Sequence, residues 1–100
     1  MPTPAYAVIA SKVSNPEAFK AYMESTPPTV AAHGGEYVIR GGAKEAVEGD
    51  WDPARLVVLK FPSMDAARAW YFGEGYTASR ALRAGATEYF NVVLVEGYAP

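Results

Sequence analysis

The strands of this chain are apolar on both faces, and that restricts its folds more than any other feature. In the segment Arg55–Phe61, residues Arg55, Val57, Leu59 and Phe61 point one way, and Leu56, Val58 and Lys60 point the other. In residues 88–98, Tyr89, Asn91, Val93 and Val95 oppose Phe90, Val92 and Leu94. In Ala5–Val13, Tyr6 and Val8 oppose Ala7 and Ile9. An antiparallel sheet with helices on one side ordinarily turns a polar face to water. These strands have no such face, so both sides of the sheet need a cover.

The chain has 100 residues, the size of a single domain, residues 1–100. Half its residues are hydrophobic and 13% are aromatic, which is enough for a core in so short a chain. The net charge of −2 argues against a nucleic-acid partner, for which a basic stripe is expected. No apolar run reaches the roughly eighteen residues of a membrane span. Met1-Pro2-Thr3-Pro4 lacks the basic and apolar segments of a secretory signal. With no cysteine there is no disulfide framework, thiolate nucleophile or thiolate metal site. A bacterial-type cytoplasmic protein is the expectation.

After the first strand, Asn15 reads as an N-cap with Pro16 at the first helical position. Phe19, Tyr22 and Met23 form the buried stripe of the helix. Pro27-Pro28 interrupts it, so it either ends near Ser25 or restarts beyond the prolines. Gly34-Gly35 closes the element with a left-handed cap. Glu36–Arg40 is a short strand, and Gly41-Gly42 signals a tight hairpin turn. Residues 43–48 return as its partner, with Arg40 diagonal to Glu45 in a cross-strand ion pair. A loop over residues 49–54 then leads to the strand Arg55–Phe61. Pro62 stops that strand, and Ser63 caps a second helix with the stripe Ala67, Trp70 and Tyr71. Gly73 and Gly75 break this helix, residues 77–83 form another helical segment, and Gly85 ends it. The order is strand, helix, strand, strand, helix, strand with an extra central hairpin. This is an α+β, ferredoxin-like split βαβ fold with an antiparallel sheet.

Two helices cover one face of such a sheet. The other apolar face would exceed what a monomer usually exposes, and no loop reads as long enough to hide it. A second copy, sheet against sheet, is the expected cover.

Several of these residues carry a resemblance. Asn15-Pro16-Glu17 with Tyr22 and Pro28 is followed by Gly34-Gly35 and Arg40-Gly41-Gly42. Glu48-Gly49-Asp50-Trp51 comes next, with Pro53 and Arg55, then Phe61-Pro62-Ser63. Ala66-Ala67-Arg68-Ala69-Trp70-Tyr71, Tyr76 and Arg80 complete the pattern. Together they resemble the domain-of-unknown-function 1330 family of the dimeric α+β barrel superfamily. The resemblance implies a ferredoxin-like protomer and a dimer whose two sheets form a barrel. It implies no particular reaction. More distant superfamily relatives include cofactor-free monooxygenases, muconolactone isomerases and haem enzymes, an analogy of fold alone.

Residues 48–55 place a tryptophan, an arginine and three carboxylates at a turn feeding an apolar strand, where sites are commonly built. Arg40, Arg55 and Arg80 could grip a carboxylate or enolate-like oxyanion, or could pair with Glu45, Glu48 or Asp50 and fix the loop. Tyr22, Trp51 and Tyr76 could wall a small-molecule pocket, while Trp70 and Tyr71 fit plain core packing. Trp51 is either a plug on the sheet or a pocket wall. The only histidine, His33, could act as a base, although its place before Gly34-Gly35 suits a helix cap better. Glu48, Asp50 and Asp52 lack the further ligands of a calcium loop and read as solvated turn residues.

The candidate pocket is therefore Tyr22, Arg40, Glu48, Trp51, Arg55, Tyr76 and Arg80, with His33 a weaker acid–base candidate. No metal or cofactor is called for. The expected partners are a second copy of the chain and a small anionic or aromatic ligand. The chain reads as a small-molecule-binding dimer, either a cofactor-independent enzyme of isomerase or monooxygenase type or a dimer without turnover.

Overall fold

A computed structural model describes residues 3–98. Residues 1–2 and 99–100, the ends of the expected domain, lie outside the described residues. The order is β1 (Ala5–Val13), α1 (Pro16–Ala32), β2 (Glu36–Arg40), β3 (Arg55–Phe61), α2 (Met64–Phe72), α3 (Glu74–Ala81) and β4 (Thr87–Glu96). The strands form one antiparallel sheet in the order β2-β3-β1-β4. Ile9 pairs with both Val57 and Val92, which fixes the central row.

All three helices cover one face of the sheet, here called the inner face. Ala7, Ile9, Val57, Leu59 and Phe61 are buried there against Phe19, Val30, Ala67 and Trp70. The strand parity read from the sequence is thus the parity found.

The helix ends follow local chemistry. Asn15 Oδ1 accepts from Ala18 N at 3.1 Å, and Ser63 Oγ accepts from Ala66 N at 3.1 Å. At the far end of α1, Gly34 N donates to Ala31 O, and Gly35 N donates to Val30 O. Gly34 takes φ +74°, the left-handed turn that these paired bonds require.

Two expectations about the elements are corrected. The first concerns α1, which neither stops nor restarts but runs unbroken through Pro27 and Pro28. A proline inside a helix costs about 3 kcal/mol and leaves the carbonyl four residues back without its donor. For Pro27 that carbonyl belongs to Met23, and Arg40 Nη2 donates to it at 3.0 Å. Beyond the prolines the helix is held laterally. Thr26 Oγ1 meets Ser79 Oγ at 2.7 Å, and Trp70 Nε1 donates to Thr29 Oγ1 at 3.0 Å. These bonds and the burial of Val30 outweigh the local penalty.

The second correction removes the extra central hairpin. Strand β2 pairs directly with β3, with an irregularity between Tyr37 and Ile39, and residues 41–54 form no strand. Residues 43–48 contain one large apolar side chain, Val47, which is 83% exposed. With nothing to bury, a strand there would gain little. Arg40 accordingly makes no ion pair with Glu45. It reaches α1 and lies 4.8 Å from the Tyr37 ring centre.

The long loop also answers part of the covering problem. It folds across one end of the outer face, where Pro53 is buried and Ala54 N donates to Tyr89 Oη at 3.0 Å. The expectation that no loop could reach this face is therefore wrong at that end. Elsewhere Val93 stays 59% exposed and Val95 44%, beside the half-buried Val8 and Val58. Among the described residues no helix is long and apolar enough to cross a membrane.

Candidate functional site

A crevice opens between α1 and the inner face of the sheet, at the end of β3 where Arg55 begins. Its walls are Tyr22 and Met23 of α1, Tyr37 and Arg40 of β2, Arg55 of β3 and Phe90 of β4. Ile9, Val57 and Leu59 form its floor. The volume is about 20 Å³, room for one water-sized group.

Its electrostatics are one-sided. The ion pairs among the described residues are Lys12–Glu88 at 3.3 Å and Lys44–Asp52 at 2.6 Å. Neither involves Arg40 or Arg55, and no carboxylate lines the crevice. The Arg55 guanidinium lies 5.6 Å from the Phe19 ring centre. Burial first, and then the neighbouring charge of Arg40, lower its pKa. Both effects mean that the cation is held at a cost which an anion would offset. Gly41 permits this arrangement: a Cβ there would sit 3.1 Å from Arg55 Nε, and its φ of +68° disfavours other residues.

The tyrosines contribute neutral hydroxyls. Tyr22 Oη shares a 2.8 Å hydrogen bond with Tyr76 Oη. Burial pushes the Tyr22 pKa far up, Tyr76 raises it further, and Arg83 opposes the shift. Tyr37 is also raised by burial, against Arg40 and Arg55. Near neutral pH Tyr22 and Tyr37 stay protonated and can donate to a bound oxyanion. The crevice lining contains no histidine or carboxylate that could act as a base.

Of the residues singled out in the sequence, the structure brings Tyr22, Arg40 and Arg55 together. Tyr76 stands behind Tyr22, buried, with its ring centre 4.2 Å from that of Trp70. The others lie elsewhere. Trp51 is 65% exposed on the outer face, with Ala10, Pro53 and Tyr89. Glu48 is exposed in the loop. Arg80 donates to Tyr71 Oη at 2.7 Å on the helical side. His33 caps α1, where a Cβ on Gly73 would be 3.7 Å from its Nε2.

Met23, Thr26, Tyr37 and Phe90 line the crevice and were missed, as was Arg83, which packs on Phe90. Tyr37 and Phe90 share the inner-face parity and could have been found by following it. Arg83 carries no such signal. It sits in the turn after α3, and only the fold brings its Cζ to 3.6 Å from the Phe90 ring centre and 5.5 Å from that of Tyr22.

Solved structures show the same fold. A protein of unknown function from Rhodopseudomonas palustris is 19% identical with a TM-score of 0.74, over 100% of this chain and 86% of that one. A dimeric ferredoxin-like protein of unknown function from Thermobifida fusca is 13% identical with a TM-score of 0.66, over 97% and 93%. SnoaB, a cofactor-independent oxygenase from Streptomyces nogalater, is 15% identical with a TM-score of 0.65, over 98% and 96%. No curated protein matches the sequence. The profile of one family does match, over residues 4–98, nearly the whole described chain. The protein belongs to that family, described as Domain of unknown function (DUF1330).

Proposed function

We propose that the protein binds a small organic anion in the α1–sheet crevice and works as a homodimer joined through the outer face of its sheet. One observation carries the binding reading: Arg40 and Arg55 border an aromatic crevice that contains no carboxylate. Because the crevice has room for little more than one small group, a carboxylate would enter head first and accept from the Arg55 fork and from Tyr37, with the apolar part of the ligand left at the mouth. The dimer reading rests on the exposed Val93 and Val95 beside the half-buried Val8 and Val58, and on the dimeric Thermobifida fusca protein of the same fold.

A second reading adds turnover. SnoaB shares the fold and is a cofactor-independent oxygenase. Arg55 and a protonated Tyr22 would stabilise an oxyanion developing on the substrate, the electrostatic part of such chemistry. The proton would have to leave by way of the substrate or solvent, because no base lines the crevice.

The test is thermal unfolding with a panel of aryl and alkyl carboxylates, on wild type and Arg55→Met. Binding to the folded state raises the melting temperature, by about 2.7 kcal/mol of stability at a hundredfold excess over Kd. Arg55→Met alone should shift stability by no more than about 0.5 kcal/mol, since no partner is orphaned, and should remove the ligand response. An equal response in both proteins, or none in wild type, overturns the reading. Oxygen uptake with the strongest binder then separates enzyme from binding protein.

A further inference from the structure

A proline inside a helix is a standing local cost, and α1 carries two in succession. They differ in what they leave behind. Pro28 is exposed, and the carbonyl it deprives belongs to Glu24, an exposed residue that water reaches. Pro27 deprives the carbonyl of Met23, a wall residue of the crevice, and its ring pushes that carbonyl out of the helical ladder. The group that answers is Arg40 Nη2, donating at 3.0 Å from another wall of the same crevice. Arg40 needs such a tether. It is the last residue of the edge strand β2, it is exposed, and Gly41-Gly42 beyond it offer no side chain to pack on. Arg55 lines the same crevice and repels it by like charge. Among the described residues no carboxylate pairs with it. The Met23 carbonyl and the Tyr37 ring, whose centre is 4.8 Å from its Cζ, hold the guanidinium at the crevice.

Resting on the anion-binding reading above, we propose that Pro27 is a positioning residue for that site: by withholding a backbone N–H it leaves the Met23 carbonyl free to hold the Arg40 guanidinium at the crevice, ready for the ligand's carboxylate. The carbonyl engages one guanidinium nitrogen, Nη2, and an arginine's other N–H donors remain for an anion. A side chain already held loses less freedom when the ligand arrives, so affinity rises without any new contact. In Pro27→Ala the restored N–H would close on the Met23 carbonyl, and Arg40 would lose its tether. The proline thus exchanges helix stability for a fixed cation, which gives the break in α1 a purpose that packing alone does not.

Two measurements test this, and the first needs no ligand. Arg40→Met should lower the melting temperature of the wild-type chain by about 4–8 °C, the loss of one hydrogen bond to an otherwise unpaired carbonyl. In the Pro27→Ala background, which should itself melt higher than wild type, the same change should cost less than about 2 °C. The second is calorimetric titration with benzoate and butyrate. Pro27→Ala should weaken the tighter binder about fivefold although it is the more stable protein, and Arg40→Met should weaken it at least as much. Pro28→Ala should also melt higher, yet keep its affinity within about twofold of wild type. An equal cost of Arg40→Met in both backgrounds overturns the tether. Unchanged carboxylate affinity in Pro27→Ala, with binding still lost in Arg55→Met, overturns the positioning role and leaves the anion site intact. An equal loss of affinity in Pro27→Ala and Pro28→Ala also overturns it, because helix stiffness would then be the cause. If neither carboxylate binds the wild-type chain, both proposals fall.

Discussion

Tyr22 shows how much one side chain can tie together. Its ring packs 5.1 Å from the ring of Phe19 and edge-on to Phe90, its hydroxyl meets Tyr76, and its position borders the crevice. In the unfolded chain it ionises near 10.0, and in the folded protein well above that. The folded state therefore keeps a proton that the unfolded state loses. Stability from this group is full below pH 10 and falls as pH rises beyond it. Urea unfolding between pH 8 and 11.5 should show a decline of up to about 1.4 kcal/mol per pH unit from one such group. Tyr37 adds to the decline in the same direction. Tyr22→Phe should flatten it, at a cost of about 1–2 kcal/mol near neutral pH from the unpaired Tyr76 hydroxyl. An unchanged alkaline slope would show that Tyr22 ionises freely. Tyr22 was legible in the sequence from helical spacing alone, as was Arg55 from its place at the head of a strand. Arg83 was not, because its neighbours come from α1 and β4, far away in sequence.

Among the elements, α1 is the one whose sequence misleads. Two consecutive prolines argue for an end, and locally that argument is sound. What it lacks is the lateral support: Arg40 on the Met23 carbonyl, Thr29 under Trp70, and Thr26 with Ser79. The Thr26–Ser79 contact is buried on both sides. Thr26→Val should cost about 1–3 kcal/mol by stranding the Ser79 hydroxyl. Adding Ser79→Ala should recover part of that loss, a coupling of about 0.5 kcal/mol or more in a double-mutant cycle read by urea denaturation. Simple additivity would mean that the hydroxyls do not hold the two helices together. The central hairpin misled in the opposite way. Gly41-Gly42 does mark a turn, but residues 43–48 offer a strand no apolar face. The real partner of β2 lies beyond a long loop that no local pattern announces.

For the whole molecule, strand parity told most of the fold. Inner and outer rows were separable by alternation, and the helices had to lie on one of them. Parity could not foresee that loop residues would fold onto the outer row, and so Trp51 was grouped with Arg55 although the sheet separates them. The remaining outer face yields a direct prediction. Val93 is 59% exposed on β4 opposite Val8. If two sheets meet there, Val93→Asp buries an uncompensated charge and should give a monomer by native mass spectrometry where wild type gives a dimer. Because the side chain is exposed in one copy, the variant protomer should still fold. A wild-type monomer, or a dimer indifferent to the change, would place the contact elsewhere.

The chain's two tryptophans fall on opposite sides of its sheet, one sealed at 0% exposure and the other 65% in water. Their light should differ accordingly. Trp70 should emit toward the blue and resist acrylamide, while Trp51 should emit toward the red and be quenched readily. Any molecule that settles on the outer face would shift the red component alone, and a Trp51→Phe protein would be blind to it. The protein thus carries a native optical gauge of that surface, read without label and at concentrations low enough to watch a dimer come apart.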